Sequence, residues 1–511
     1  MSQRAQLDLF LFGQILGTVA PCGCTTEPLG GLQYAFGYLE AHSKAGDRLV
    51  LEPGSLLFPD PKGAEAATDE ASWEQANKRA DVLHGRLSAL GEDVVSGFGP
   101  TDLSSAAGAK AVEKWPLPRV LANATKLPPS VTRHLIRKRA GIDIGITSVV
   151  SPTHVGHEAL GALEDPAAAL TRELANMEKA GAALNVVLFL GLRADAEALA
   201  KAVPGIDILM VGAPRGLDRP RVGSPVAKVG ATWLVEPGEK LQTMTHIKIS
   251  ADREVLNVGL PEPSTWTRLT PRAQRVRELA RIDKKLEKVK ADAKADPGLV
   301  KLLEQQRSQL ATELDKPHVA SDPVEVLFEQ VKVTCHLDAD TAAKQALVDY
   351  DQTIAAQNKK RFTGVNAPAP TDGNPGYVGS EECATCHEEA ATFWQTTRHA
   401  QAFKTLVDVN KQFDVNCVGC HVTGFRQPGG SEVVENDGLR DIQCEQCHGP
   451  GSLHVGDNDV KLRLEVPASV CLECHTPEHS DTFEYDAYLR DILGPGHGEA
   501  KRKALGDGPT A

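Results

Sequence analysis

The chain has 511 residues, more than one hydrophobic core usually organises, so two or three domains are expected. Lys and Arg number 55 against 68 Asp and Glu, a formal charge of -13 that repels phosphate backbones and argues against nucleic acid as a partner. Hydrophobic residues make up 41% and charged residues 24%, and no apolar run reaches bilayer length, so the composition is globular without a membrane span and its charge suits a soluble cation or a basic partner.

Residues 1–13 hold one Arg and a short apolar stretch at 7–12, with neither an h-region nor a cleavage site, so no export signal is visible. From residue 7 to about 250, short apolar runs alternate with amphipathic stretches. Residues 7–12, 49–51, 186–190 and 206–211 read as strands, and 73–90, 167–180 and 194–202 as helices. This is the pattern of an α/β layered fold over residues 1–260.

Within it, Pro21-Cys22-Gly23-Cys24 followed by Gly30-Gly31-Leu32 resembles the N-terminal region of 5'-nucleotidase-like metallophosphoesterases. That resemblance implies a layered sandwich in which Asp, His and Asn at the ends of successive strands hold two metals. This chain departs from the pattern at each aligned point. Gly13-Gln14-Ile15-Leu16-Gly17 stands where the family has Asp-x-His, Gly54-Ser55 stands for Gly-Asp, and Gly99-Pro100-Thr101-Asp102 for Gly-Asn-His. The later His falls near residues 190–192, and Gly-His-x-His near Gly212-Ala213-Pro214-Arg215. A two-metal hydrolase needs carboxylates and imidazoles at these points. The domain is therefore expected to be phosphoesterase-like in fold, without catalytic metals, and to serve binding or scaffolding.

His154 and His157 lie in one loop as a remnant metal pair or, more often for loop histidines without nearby carboxylates, as bland residues. Cys22 and Cys24 are too close for an unstrained mutual disulfide, and with Cys335 they make an odd set that leaves at least one free thiol.

Residues 265–318 form a connector rich in Lys, Glu, Leu and Ala. Leu279, Ile282, Leu286 and Val289 recur at helical spacing, Asp296-Pro297-Gly298 breaks the run, and Leu302, Leu303 and Leu310 resume it. A helical hairpin with a solvated charged face is expected. In 319–376, a strand at 324–333 and a helix at 342–359 precede a linker marked by Pro368, Pro370 and Pro375.

Residues 377–500 carry eight of the eleven cysteines in four identical frames, each C-x-x-C-H. The frames are Cys383 to His387, Cys417 to His421, Cys444 to His448 and Cys471 to His475, with Cys386, Cys420, Cys447 and Cys474 as the second thiols. Two thiols three positions apart can add to the two vinyl groups of one porphyrin, and the adjacent His then reaches the iron. Four haem c groups follow from four frames. Zinc is the main alternative, but it needs no His after every pair and would leave four histidines without a role. A disulfide framework fits a chain of this size less well. The segment is also poor in Val, Ile and Leu, so four macrocycles would supply apolar volume that its own side chains lack.

Four further histidines, His399, His454, His479 and His497, match one distal iron ligand per haem. His399 is expected on the helix that starts at the first frame. His479, four residues after His475, is placed to serve a neighbouring haem instead of its own. The motif order, the segment 394–402, Cys420-His421-Val-Thr-Gly424 and Gln443 to Gly451 with His454 resemble the cytochrome c-554 family over roughly the last quarter of the chain. The resemblance implies a mostly α and irregular tetrahaem cytochrome c domain with closely stacked haems and mostly His/His ligation, with one iron open in some members.

Electron transfer is the function these features favour. The alternatives are a multihaem oxidoreductase acting on a small nitrogen or sulfur compound at a five-coordinate haem, and a bifunctional phosphoesterase-cytochrome fusion. Attachment of haem c generally takes place outside the cytoplasm, so a periplasmic or cell-surface location with envelope association is expected, after loss of a leader peptide. Redox partner proteins are expected, of an identity the sequence does not disclose.

Overall fold

The computed structural model describes residues 4–21, 28–58, 70–99, 102, 113–152, 162–212, 223–258, 260–261, 265–269, 272–290, 296–315, 322–435, 437–476, 479–480 and 482–510. The pair Cys22 and Cys24, the pair His154 and His157, and residues 213–215 lie outside them. By internal contacts the chain divides into two units. The first comprises Met1–Thr18, Gly30–Asp60 and Leu83–Asp340; the second comprises Val19–Leu29, Pro61–Val82 and Thr341–Ala511.

In the first unit the described strands are, in chain order, β1 (Arg4–Phe12), β2 (Arg48–Glu52), β3 (Val94–Gly97), β4 (Arg119–Val120), β5 (Val131–Thr132), β6 (His134–Arg139), β7 (Ile142–Val150), β8 (Leu184–Leu190), β9 (Ile208–Gly212), β10 (Ser224–Val229), β11 (Thr232–Glu236), β12 (Thr243–Asp252), β13 (Thr267–Leu269) and β14 (Val324–Lys332). They form an eight-stranded sheet of order β13-β14-β12-β1-β2-β3-β4-β5 and a six-stranded sheet of order β10-β11-β9-β8-β7-β6.

Period-two alternation decides how the sheets stack. Leu7, Leu9 and Leu11 of β1, Leu49 and Leu51 of β2, Val95 and Val120 face Ile142, Ile144, Ile146, Val186, Leu188 and Met210 of the other sheet in one core cluster. The outer face of the second sheet buries Val187, Phe189, Leu209 and Val211 beneath helices Pro166–Lys179 and Arg193–Ala202. The N-terminal unit is thus an α/β layered sandwich, with helices covering strands that are buried on both faces. The helix Pro166–Lys179 starts where Asp165 accepts from the Ala168 N–H, with Pro at its first position.

Strand β14 pairs antiparallel with β12 from Thr243↔Lys332 to Ala251↔Val324 and carries β13 on its other edge. The strand expected in the stretch after the hairpin is thus hydrogen-bonded into the first sheet. The hairpin itself consists of helices Arg272–Lys290 and Pro297–Asp315, which bury Leu286, Leu303 and Leu314.

The second unit is mostly short helices and turns. Its longest helix, Thr341–Phe362, is held by Asn358, whose amide donates to the Phe413 carbonyl at 2.8 Å and to Gln75 at 3.3 Å. Its described apolar cluster is small: Ala71, Phe362, Phe403, Val415, Val418, Val422 and Val433. A unit with so few buried aliphatics depends on another source of apolar contact.

Candidate functional site

Each C-x-x-C-H frame folds as one helical turn. His387 N–H donates to the Cys383 carbonyl at 2.9 Å, His475 N–H to the Cys471 carbonyl at 2.8 Å, and Cys444–His448 is itself a short helix. In the second frame Cys420 and His421 donate to the carbonyls of Cys417 and Val418. One turn brings positions i and i+3 to a common face, so the two thiols of a frame lie side by side. The eight motif cysteines are free thiols. The Cys383 thiol lies close enough to that of Cys444, and the Cys420 thiol to that of Cys474, for each to perturb the other's ionisation, which brings frame one to frame three and frame two to frame four.

The expected distal histidines are drawn to particular frames. His454 lies 6.5 Å from His387, His399 lies 6.2 Å from His475, and His497 lies 5.9 Å from His448, measured between ring centres. Two metal–nitrogen bonds of ~2 Å, with ~1.1 Å from each nitrogen to its ring centre, put two axial imidazoles about 6 Å apart. His479 lies near enough to His421 to oppose its protonation, and its Nδ1 is bonded to Thr476 Oγ1 at 2.8 Å.

The protonation pattern suits iron ligation. His421 Nδ1 donates to the Ala402 carbonyl at 2.6 Å, His448 to Arg463 at 2.5 Å, His454 to Val460 at 2.7 Å and His497 to Ile492 at 2.8 Å. A carbonyl only accepts, so Nδ1 carries the proton and Nε2 is left with its lone pair outward. Burial, reinforced by His475, pushes His399 down to about 4, and burial also lowers His421, His448 and His475. These residues fit haem. Among the described residues no three His, Cys, Asp or Glu side chains converge as a metal set, so zinc finds no donor cluster there.

Two local features differ from the sequence expectation or escaped it. His399 is not on the helix of the first frame. That helix, Glu388–Trp394, stops where Thr396 and Thr397 hydroxyls turn back to the carbonyls of Phe393 and Trp394, and His399 sits in the separate turn Arg398–Gln401. Glu445, in a nominally free position of the third frame, is buried and accepts from the N–H groups of Val378, Gly379 and Gly451 at 2.7–3.0 Å. A carboxylate between two motif cysteines gives no sequence signal of that kind.

In the N-terminal unit the strand-end positions aligned with phosphoesterase ligands do converge. A Cβ built on Gly99 would meet Ser55 Oγ at 2.6 Å and Leu190 at 3.1 Å, and one built on Gly212 would meet Pro53 at 2.4 Å and Gln14 at 3.5 Å. Among the described residues Pro53 and Leu190 fill this space, and no imidazole lines it. Asp102 is committed to the backbone, accepting from Ser55, Leu56 and Gly99 N–H groups at 3.1, 3.1 and 2.9 Å. These residues do not fit a two-metal centre. Elsewhere in this unit Asp8 holds buried His246 at 2.8 Å beside Tyr38, a cluster with no counterpart in the sequence reading.

Glu52, at the end of β2, is buried, and desolvation with Asp102 nearby pushes it up to about 8 despite bonds from Ser96 and Gly54. Its ordinary value is 4.5, so between about pH 4.5 and pH 8 the unfolded chain has lost a proton that the folded chain retains. Stability from this group is full below that window and falls as pH rises through it. Glu52→Gln is expected to remove a decline of the order of 4 kcal/mol, read by denaturant unfolding at about pH 5 and about pH 8.

Residues 382–449 match the family model described as cytochrome c554 and c-prime. Cytochrome c-554 of Nitrosomonas europaea is 36% identical over 69 residues, 11% of this chain and 29% of that protein's length. Among solved structures, the 5'-nucleotidase precursor from Thermus thermophilus is similar with a TM-score of 0.44 and 15% identity, covering 69% of this chain and 59% of its own. A calcineurin-like phosphoesterase from Bacillus subtilis gives a TM-score of 0.41 and 12% identity, covering 69% and 98%. Residues 382–449 are accordingly a cytochrome c-554-like segment of a chain whose N-terminal unit is an α/β sandwich.

Proposed function

We propose that the protein is an electron-transferring c-type cytochrome with four haems, held by the thiols of the four frames. In this reading the axial pairs are His387 with His454, His421 with His479, His448 with His497, and His475 with His399. The observation that carries it is the spacing of three proximal–distal pairs at 5.9, 6.2 and 6.5 Å, each joining histidines from different parts of the sequence.

Haem supplies a one-electron carrier, and two imidazoles on each iron leave no position for substrate. The chain's own part is to fix Nε2 of His421, His448, His454 and His497 outward through backbone carbonyls, and by burial to disfavour the charged forms of His399, His421, His448 and His475. The thiol contacts between frames one and three, and between two and four, support close pairs of haems along which electrons pass. Residues 377–511 hold 22 acidic against 11 basic side chains, which favours a basic redox partner. Haem attachment implies export to the periplasm or cell surface; among the described residues no helix is long and apolar enough to cross a membrane.

Protein made in a host able to attach haem c is expected to bind about four haems per chain by pyridine haemochrome, all low-spin and inert to carbon monoxide. Cys447→Ser with Cys444→Ser is expected to lower the count by about one. Zinc in place of iron would overturn the reading. Carbon monoxide binding would transfer it to an oxidoreductase with an open iron. The iron at His421 is where to look, since its fourth pair rests on proximity without the ring spacing of the other three.

A further inference from the structure

Register pairing sets Glu52, Ser96 and Arg119 on one rung across β2, β3 and β4. Their neighbours Leu51, Val95 and Val120 face the core between the sheets, so the rung's side chains lie on the opposite face, where β2 and β3 end and β4 begins. Three arginines are buried among the described residues. Arg48 pairs with Asp93 and Glu40, and Arg139 pairs with Asp93. Arg119, only 1% exposed, has no hydrogen-bond partner on Nε or either terminal nitrogen, and its guanidinium lies 5.9 Å from the centre of the Phe98 ring. Glu52 Oε1 is buried without a partner on the same rung.

We propose that Arg119 binds a small inorganic oxyanion of the phosphate or sulfate class, completed by Glu52, within the N-terminal unit. A guanidinium does not lose its proton in a protein, so burying one without hydrogen bonds leaves both a charge and its donors uncompensated. Its planar fork matches two oxygens of a tetrahedral or planar anion, and an aromatic wall leaves that charge poorly solvated. Glu52 does not neutralise it at neutral pH. Burial and Asp102 keep Glu52 protonated up to about 8, when it serves as a donor to the anion. The enclosure of Arg119 favours a free ion over a phosphate carried on a larger molecule.

The test is calorimetric titration of the full haem-loaded protein with inorganic phosphate and with sulfate, in chloride buffers of matched ionic strength, with thermal unfolding in parallel. Binding of either ion with a rise in Tm beyond the chloride control is expected at pH 7. Arg119→Met should weaken it ~tenfold or more, as loss of charge-assisted hydrogen bonds requires. Glu52→Gln should keep the affinity at pH 7 and hold it above about pH 8, where the wild type weakens as Glu52 ionises. If Arg119→Met fails to fold, the wild-type titration and the Glu52→Gln pH profile still decide. No anion-specific heat or Tm shift in the wild type, or equal binding by folded Arg119→Met, would mean that ordered water alone serves the guanidinium and would overturn the proposal.

Discussion

Replacing His399, His454 or His497 singly by alanine is expected to turn about one quarter of the haem from low-spin to high-spin, and to create one carbon monoxide site per chain. Each variant removes one imidazole of a proximal–distal pair whose rings stand about 6 Å apart. The thioether bonds and proximal His are untouched, so haem count should stay constant while spin state changes. Electron paramagnetic resonance and reduced-plus-carbon monoxide spectra read the two effects separately. Double variants taking one ligand from each of two pairs should open about two irons, whereas alanine at both members of one pair should affect a single haem. If His399→Ala and His475→Ala together disturbed two haems, the pairing would be wrong.

The second large effect is expected at Glu445. Glu445→Ala strips the acceptor from three N–H groups, those of Val378, Gly379 and Gly451, all bonded to its carboxylate. An unmatched buried donor costs about 1–3 kcal/mol, so the unit should lose on the order of 4 kcal/mol, partly relieved if water enters. Glu445→Gln keeps the shape and one acceptor oxygen and should lose less. Denaturant unfolding followed by haem absorbance checks the order. The effect is structural, since Glu445 ties the chain entering the first frame to the turn after the third.

Local chemistry explains why the haem frames were legible. Attachment needs two thiols and a His within five residues, so the spacing carries its meaning wherever the chain folds. The distal histidines were legible as a set but not as pairs. His399 lies 6.2 Å from the His of a frame more than seventy residues later, and no local pattern encodes that contact. His399 also shows a local misreading: it is expected on the helix that starts at the first frame, but Thr396 and Thr397 offer the backbone other partners and the helix stops before it.

The strands divide in the same way. Runs such as those in β8 and β9 are almost wholly apolar, being covered on both faces, and declare themselves. Strand β12 does not, because it buries Thr245 and His246, and a polar residue satisfied by a distant partner looks exposed in a sequence. The same holds for Glu52 and Arg119, which read as surface charges until register places them on one buried rung.

The sequence by itself determined the number and spacing of the C-x-x-C-H frames and the layered character of the first half, because thiol spacing and hydrophobic period are properties of neighbouring residues. Tertiary structure alone decided which histidines face each other, which frames approach, how Pro53 and Leu190 pack against the glycines at the strand ends, and where a buried arginine is left unmatched. Those are contacts between residues far apart in the chain, fixed only when packing brings them within a few ångströms.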